Sequence, residues 1–236
     1  MKEGVGRALR RAIGRDDVLS RIKSREGGVS ILMNEKRREI FQHLMENPLT
    51  HLRELARETE IPVGTADWHL KILTREHLVS TFEDRNRRHY YPTGWIESED
   101  LACLSALQDR TTRDIYFLVE KNRGLSQTDI ARKMGKYQQY VQPHLAALER
   151  HGFLTAVASG RKKVYQVGNK TSDIEQKYVD RSSSYLDRVL QMLRDDGLNP
   201  HIQGRSKAVL KVKIDDGQNV FHLRIRANPV KTILRK

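Results

Sequence analysis

Between Lys136 and Gln142 the chain sets Lys136, Tyr137, Gln138, Gln139, Tyr140 and Gln142 side by side with no acidic residue among them. A glutamine amide presents a donor next to an acceptor, a tyrosine hydroxyl one of each, and an ammonium three donors on a full charge. Such a set suits recognition of a polar edge or an anion, not bond breaking. Arg161, Lys162 and Lys163 follow Gly160 as a compact cationic cluster. Earlier in the chain Gly64, Thr65, Trp68 and Lys71 form a second, less polar set, followed by Arg85, Arg87 and Arg88. No nucleophile–base constellation, HExxH, phosphate-binding GxxxxGK[ST] or paired-carboxylate pattern occurs, so no enzyme is expected. His43, His51, His69, His77, His89 and His144 lie on separate elements without ligand spacing, and Cys103 is alone. Neither a metal site nor a cofactor is expected.

The two sets are related by a shift of seventy-five residues. Under that shift Arg38 meets Arg113, Ile40 meets Ile115 and Phe41 meets Tyr116. Ala56–Arg57 meets Ala131–Arg132, His69–Leu70 meets His144–Leu145, Leu73 meets Leu148 and Tyr90 meets Tyr165. An ungapped register over some fifty residues implies one supersecondary unit used twice. In the first copy "NEKRREIFQHLMEN" stripes Ile40, Phe41, Leu44 and Met45 along a helix, with Asn34 as its cap and Pro48 as its stop. "THLRELARETE" gives a second helix, capped by Thr50. Ile61 to Gly64 turn into a third, from Thr65 to about His77. The period then changes to two: "LVSTFED", a loop at Arg85–Asn86–Arg87, and "RHYYPTG" predict a hairpin. The second copy predicts helices over 110–122, 126–134 and 137–151 and a hairpin through "FLTAVAS" and "KVYQVG". Pro143 removes one helical N–H, which either bends the third helix there or is tolerated.

Three helices and a two-stranded hairpin make a winged helix-turn-helix. "HLRELARETEIPVGTADWHLKILTREHLV…RNRRHYYPTG" resembles the ArsR-like winged-helix regulators common in archaea. "LSQTDIARKMGKYQQYVQPHLAALERHGFL…GRKKVYQV" resembles the MarR-like branch of the same superfamily. The resemblance covers about residues 32–170 and implies a transcription factor that binds double-stranded DNA. Its third helix would then read bases in the major groove, which is about 12 Å wide. In the second copy the readers would be Lys136, Tyr137, Gln138, Gln139, Tyr140 and Gln142, glutamine being able to pair with adenine. In the first they would be Gly64, Thr65, Trp68 and Lys71. There Asp67 repels phosphate, and Trp68 is as suited to packing on a neighbouring domain. The basic tips (Arg85, Arg87 and Arg88, then Arg161, Lys162 and Lys163) would enter the minor groove or grip its phosphates. His69 and His144 are expected to be structural or to touch phosphate.

Composition agrees with a polyanion partner. Of 236 residues, 43 are Lys or Arg and 30 Asp or Glu, a net charge of +13. The charge is +4 over residues 1–33, −1 over 34–97, +5 over 98–170 and +5 over 171–236. A hydrophobic content of 38% against 31% charged fits several small cores. No run reaches the ~18–20 apolar residues of a membrane span, and Arg7, Arg10, Arg11 and Arg15 precede no apolar stretch. The expectation is a cytoplasmic, nucleoid-associated chain with no membrane contact.

The organisation expected is a basic N-terminal segment (1–31), two winged-helix domains (32–97 and 98–170) and a C-terminal helix with a basic β-hairpin (171–236). The fold class is mostly α with small β-hairpins (α+β). "DIEQKYVDRSSSYLDRVLQMLRDD" places Ile174, Tyr178, Tyr185, Val189 and Met192 on a seam, interrupted by Ser182–Ser184. Regulators of this resemblance dimerise through such helices, so a homodimer is expected; alternatively the seam covers the hairpin that follows. "VLKVKIDDGQNVFHLRIR" alternates, with Leu210, Val212, Ile214, Phe221, Leu223 and Ile225 on one face. Lys211, Lys213, Arg224 and Arg226 fall on the other, as an accessory DNA contact. The function so read is a double-stranded DNA-binding transcriptional regulator. The alternatives are an architectural, chromatin-like DNA-coating protein and a winged-helix protein-docking adaptor.

Overall fold

A computed structural model describes residues 31–84, 86–206, 208–215 and 220–235. The basic segment 1–30, Arg85 and most of the turn expected at 215–219 lie outside the described residues.

The first unit is α1 (Glu35–Glu46), β1 (Thr50–His51), α2 (Leu52–Glu58), α3 (Val63–Arg75), β2 (Val79–Asp84) and β3 (Arg87–Pro92). A short helix, α4 (Leu101–Ala106), leads to the second: α5 (Arg110–Lys121), β4 (Leu125–Ser126), α6 (Gln127–Lys133), α7 (Gln138–Arg150), β5 (Leu154–Ser159) and β6 (Lys162–Val167). Every element of one unit lies seventy-five residues from its equivalent in the other, at both ends. The sheets agree too, in orders β1-β3-β2 and β4-β6-β5, with Thr50 opposite Tyr90 and Leu125 opposite Tyr165.

The duplication reaches individual hydrogen bonds. Arg38 Nη1 donates to the carbonyls of Leu32 and Met33 at 3.1 and 3.3 Å. Arg113 Nη1 donates to those of Leu107 and Gln108, both at 2.7 Å. In each unit the arginine fixes the chain that enters the first helix. Asn34 caps α1 by accepting from the Arg37 N–H, and Asp109 caps α5 by accepting from that of Thr112. Ser126 and Asp129 form a capping box on α6. The equivalent cap on α2 is His51, whose ring accepts from the Glu54 N–H. Thr50 is therefore not the cap: it sits in β1 and donates its hydroxyl to the Asn47 carbonyl at 2.6 Å. Thr50 and His51 both pair with β3, and His51, the second of them, stands at the helix entrance.

The remainder holds more than one helix and one hairpin. Helices α8 (Lys170–Asp180) and α9 (Ser182–Asp195) are separate, broken at Arg181. A three-stranded antiparallel sheet follows, β7 (Pro200–Arg205), β8 (Val209–Asp215) and β9 (Val220–Arg226) in that order, and then α10 (Pro229–Leu234). The alternation of the last two strands is as expected, with Leu210, Val212, Ile214, Phe221, Leu223 and Ile225 all buried. Strand β7 escaped the sequence reading because Pro200, Gly204 and a register shift between Ile202 and Gly204 obscure its period.

The seam on α8 and α9 is consumed inside the chain. Ile174, Tyr178, Tyr185, Leu186, Val189, Leu190 and Leu193 are buried in the core shared with both winged units. Tyr185 stacks on Trp95, with ring centroids 6.1 Å apart and 13° between planes, and its hydroxyl approaches Met45 Sδ at 3.8 Å. The seam therefore covers the sheet and the first unit, the second of the two uses expected for it. Asp100, 2% exposed, joins α8 to the linker: Lys177 Nζ stands 2.7 Å away, the Tyr178 hydroxyl donates at 3.0 Å, and Lys170 lies at 3.7 Å. Lys177 also pairs with Glu99, and Arg181 with Glu97.

Candidate nucleic-acid interface

Each third helix buries one side and presents the other. On α7, Val141, Leu145, Ala147 and Leu148 are buried, while Gln138, Gln139, Tyr140 and Gln142 are exposed. Lys136 and Tyr137 precede them on the surface, Tyr137 being 84% exposed. The set picked out in the sequence thus forms one outward face at the helix start. Tyr140 is steadied, its hydroxyl 3.2 Å from Thr111 Oγ1 and its ring 5.4 Å from Lys136 Nζ. Gln127 Nε2 donates to the Gln138 carbonyl at 3.1 Å, tying the first turn to α6. The helix runs unbroken across Pro143. His144 faces inward to the scaffold: Nδ1 lies 2.9 Å from Thr112 Oγ1 and 3.2 Å from Asp109 Oδ1. That makes it a brace between α7 and the start of α5.

On α3 the outward residues are Val63, Gly64, Thr65, Trp68 and Lys71, over a buried side of Ala66, His69, Leu70, Ile72 and Leu73. Trp68 is 53% exposed, so it does not serve as packing against a neighbouring domain. Lys71 is paired with Asp67 at 2.6 Å, one turn away on the helix surface, which sets a carboxylate beside the only cation of this face. The positions equivalent to Val63, Gly64, Thr65 and Asp67 are Gln138, Gln139, Tyr140 and Gln142. The first copy thus sets an aliphatic residue, a glycine, a threonine and a Lys71-paired carboxylate where the second sets three glutamines and a tyrosine.

Both third helices share one further property. Neither Pro62 before α3 nor Tyr137 before α7 gives a side-chain cap, whereas α1, α2, α5 and α6 are all capped by side chains. The starts of α3 and α7 thus lack a side-chain acceptor at the positive end of the helix dipole, and in α7 the Tyr140 N–H donates to the Tyr137 carbonyl at 3.1 Å.

The hairpin tips differ in the same sense as the helices. Arg88 lies in β3 opposite Glu83 and donates to its carboxylate from Nε and Nη2 at 3.2 and 2.9 Å. The Glu83 contact raises the Arg88 pKa above its ordinary value. Arg87 sits opposite Asp84, whose carboxylate accepts from the Ser105 hydroxyl at 3.2 Å. In the first tip Arg88 is thus paired, Asp84 is tethered to α4, and Arg87 has no ion pair among the described residues. In the second, Arg161 and Lys162 are exposed with no ion pair among the described residues, and only Lys163 has a partner, Glu149 at 3.0 Å.

Among the described residues no group of three or more His, Cys, Asp or Glu side chains is gathered as for a metal ion, and no helix is long and apolar enough to cross a membrane.

These features define a pair of winged helix-turn-helix units in tandem. Comparison with known families agrees: residues 34–102 match a family described as an N-terminal HTH domain, and residues 108–155 one described as winged helix-turn-helix DNA-binding. Over 138 residues the chain is 33% identical to the "Uncharacterized HTH-type transcriptional regulator MJ1398" of Methanocaldococcus jannaschii. That alignment covers 58% of this chain and 34% of the relative, so the chain spans about a third of the relative's length. Among solved structures, ScpB from Mycobacterium tuberculosis aligns at 14% identity and a TM-score of 0.24, over 55% of this chain and 90% of that one. The mRNA-binding domain of elongation factor SelB from E. coli, in complex with SECIS RNA, aligns at 17% identity and 0.24, over 57% and 98%. Scores this low carry no argument about this chain.

Proposed function

We propose that the chain is a double-stranded DNA-binding transcriptional regulator in which the second winged unit is the principal reader. The observation that carries this is the joint exposure of the Gln138, Gln139 and Gln142 amides with the unbalanced tip of Arg161 and Lys162. In this reading α7 lies in the major groove and pairs its glutamines with adenine edges. Tyr137, Tyr140 and Lys136 hold phosphates, and the β5–β6 tip reaches the minor groove or its flanking phosphates. The uncapped start of α7 adds N–H groups suited to a phosphate oxygen. The first unit binds beside it with less electrostatic pull, through Gly64, Thr65, Trp68, Arg87 and the Glu83-paired Arg88. The matched regulator and the DNA-binding family description support the same reading.

The test is titration of the full chain against a selected and a scrambled duplex at two salt concentrations. A regulator prefers one sequence by about 10³-fold or more at fixed salt. Equal, steeply salt-dependent affinities would indicate a coating protein, and absence of binding a docking adaptor.

A further inference from the structure

We infer that the outer face of the C-terminal sheet is a third contact for the phosphate backbone of duplex DNA. The inference rests on the DNA-binding reading above and adds a surface to it. Register sets the side chains of this face in rows. His201 stands opposite Lys213, which stands opposite His222, and Lys211 stands opposite Arg224. Successive rows are about 7 Å apart, two residues along a strand. All five are on the solvent side, Lys213 being half-buried, while the alternate residues of β8 and β9 are buried.

Lys211 and Arg224 are like charges directly across a ladder, an arrangement that opposes strand pairing. Lys213 pairs with Asp215 at 3.0 Å, and Arg224 reaches Glu46 only at 4.0 Å. Lys211 has no ion pair among the described residues. The five side chains carry no aromatic ring beyond the two imidazoles, so the face lacks the stacking platform of a single-strand binder. Cationic rows without bulky side chains fit a duplex backbone.

The face is also held in place, which a contact surface needs. Gln42 on α1 donates from Nε2 to the Arg224 carbonyl at 3.1 Å and accepts the Arg224 N–H at Oε1 at 2.9 Å. The Arg38 guanidinium lies 4.2 Å from the centre of the Phe221 ring. The free edge of β9 is thereby fastened along α1 of the first winged unit. That unit is the one in whose hairpin tip Glu83 holds Arg88.

The experiment uses the full chain and the duplex it prefers. Substituting Lys211→Gln, Lys213→Gln and Arg224→Gln together should lower the slope of log affinity against log salt by about 1 to 3, near 0.9 for each phosphate no longer neutralised. The ratio between preferred and scrambled duplexes should be unchanged. Because the triple variant could fold poorly, lysine acetylation of the unaltered protein is read in parallel. Lys211 and Lys213 should be protected when duplex is bound and modified when it is absent. A full salt slope in a folded variant, or equal acetylation with and without bound duplex, overturns the inference. If the unaltered chain binds no duplex at all, it is the DNA-binding reading that fails.

Discussion

Gln42 grips both backbone groups of Arg224, 182 residues further along the chain, with bonds of 3.1 and 2.9 Å. One side-chain amide thus closes the edge of a sheet that would otherwise offer its backbone to another strand. Replacing Gln42 with alanine should speed exchange of the Arg224 amide and reduce stability by about 1–2 kcal/mol, for two hydrogen bonds of ordinary worth. Hydrogen exchange resolved to that residue is the check; an unchanged rate would mean the edge is protected by something else.

Glu60 and Gly135 occupy equivalent positions after the second helix of each unit, with φ of 54° and 64°. Left-handed backbone costs a residue with a side chain roughly 1 kcal/mol. Glu60→Gly should therefore raise stability by about that amount, and Gly135→Ala should lower it similarly. A Cβ at Gly135 would meet nothing within 4 Å, so the cost there is purely conformational. Denaturant titration of both variants tests the pair, and a destabilised Glu60→Gly would contradict it.

Much of this architecture is legible in the sequence. The shift of seventy-five residues, the apolar stripes of α1 and α3 and the alternation of β8 and β9 all follow from side-chain periods. What escapes is of another kind. The cap on α2 falls on His51 because β1 takes up Thr50, and a two-residue strand has no period to reveal it. The break at Arg181 is marked in the sequence only by Ser182–Ser184, which interrupts a seam whose apolar spacing otherwise runs on through Ile174, Tyr178, Tyr185 and Val189. At the candidate interface, residue types mark Gln138 to Gln142, but the pairing of Lys71 with Asp67 and of Arg88 with Glu83 becomes plain only when the pairs are seen in space.

Cys103 is buried, with its thiol donating to the Asp100 carbonyl at 3.1 Å, and burial pushes its pKa up to about 11. A thiol whose folded value is raised favours the folded state fully below its ordinary value, near 9, and loses that contribution as pH climbs toward about 11. Stability should fall over that interval and fall less in Cys103→Ala. At pH 8 the native protein should resist alkylation until denaturant is added; rapid labelling without it would contradict the burial.

The two hairpin tips should contribute unequally to DNA binding. Arg161→Gln with Lys162→Gln should cut the salt slope by about 2, one step of near 0.9 for each phosphate that sheds its cation. Arg87→Gln with Arg88→Gln should change it by less than half as much, since Glu83 already holds Arg88. Equal reductions from the two tips would show that the ion pairs open on binding.

The central claim is that the glutamines of α7 read bases, and selection of bound sequences from a random duplex pool tests it most directly. The unaltered chain should enrich a defined consensus, and Gln138→Ala with Gln142→Ala should flatten particular positions of it, by about 1–3 kcal/mol for each base no longer read. A pool with no enrichment, or a consensus identical in the double variant, would contradict the account.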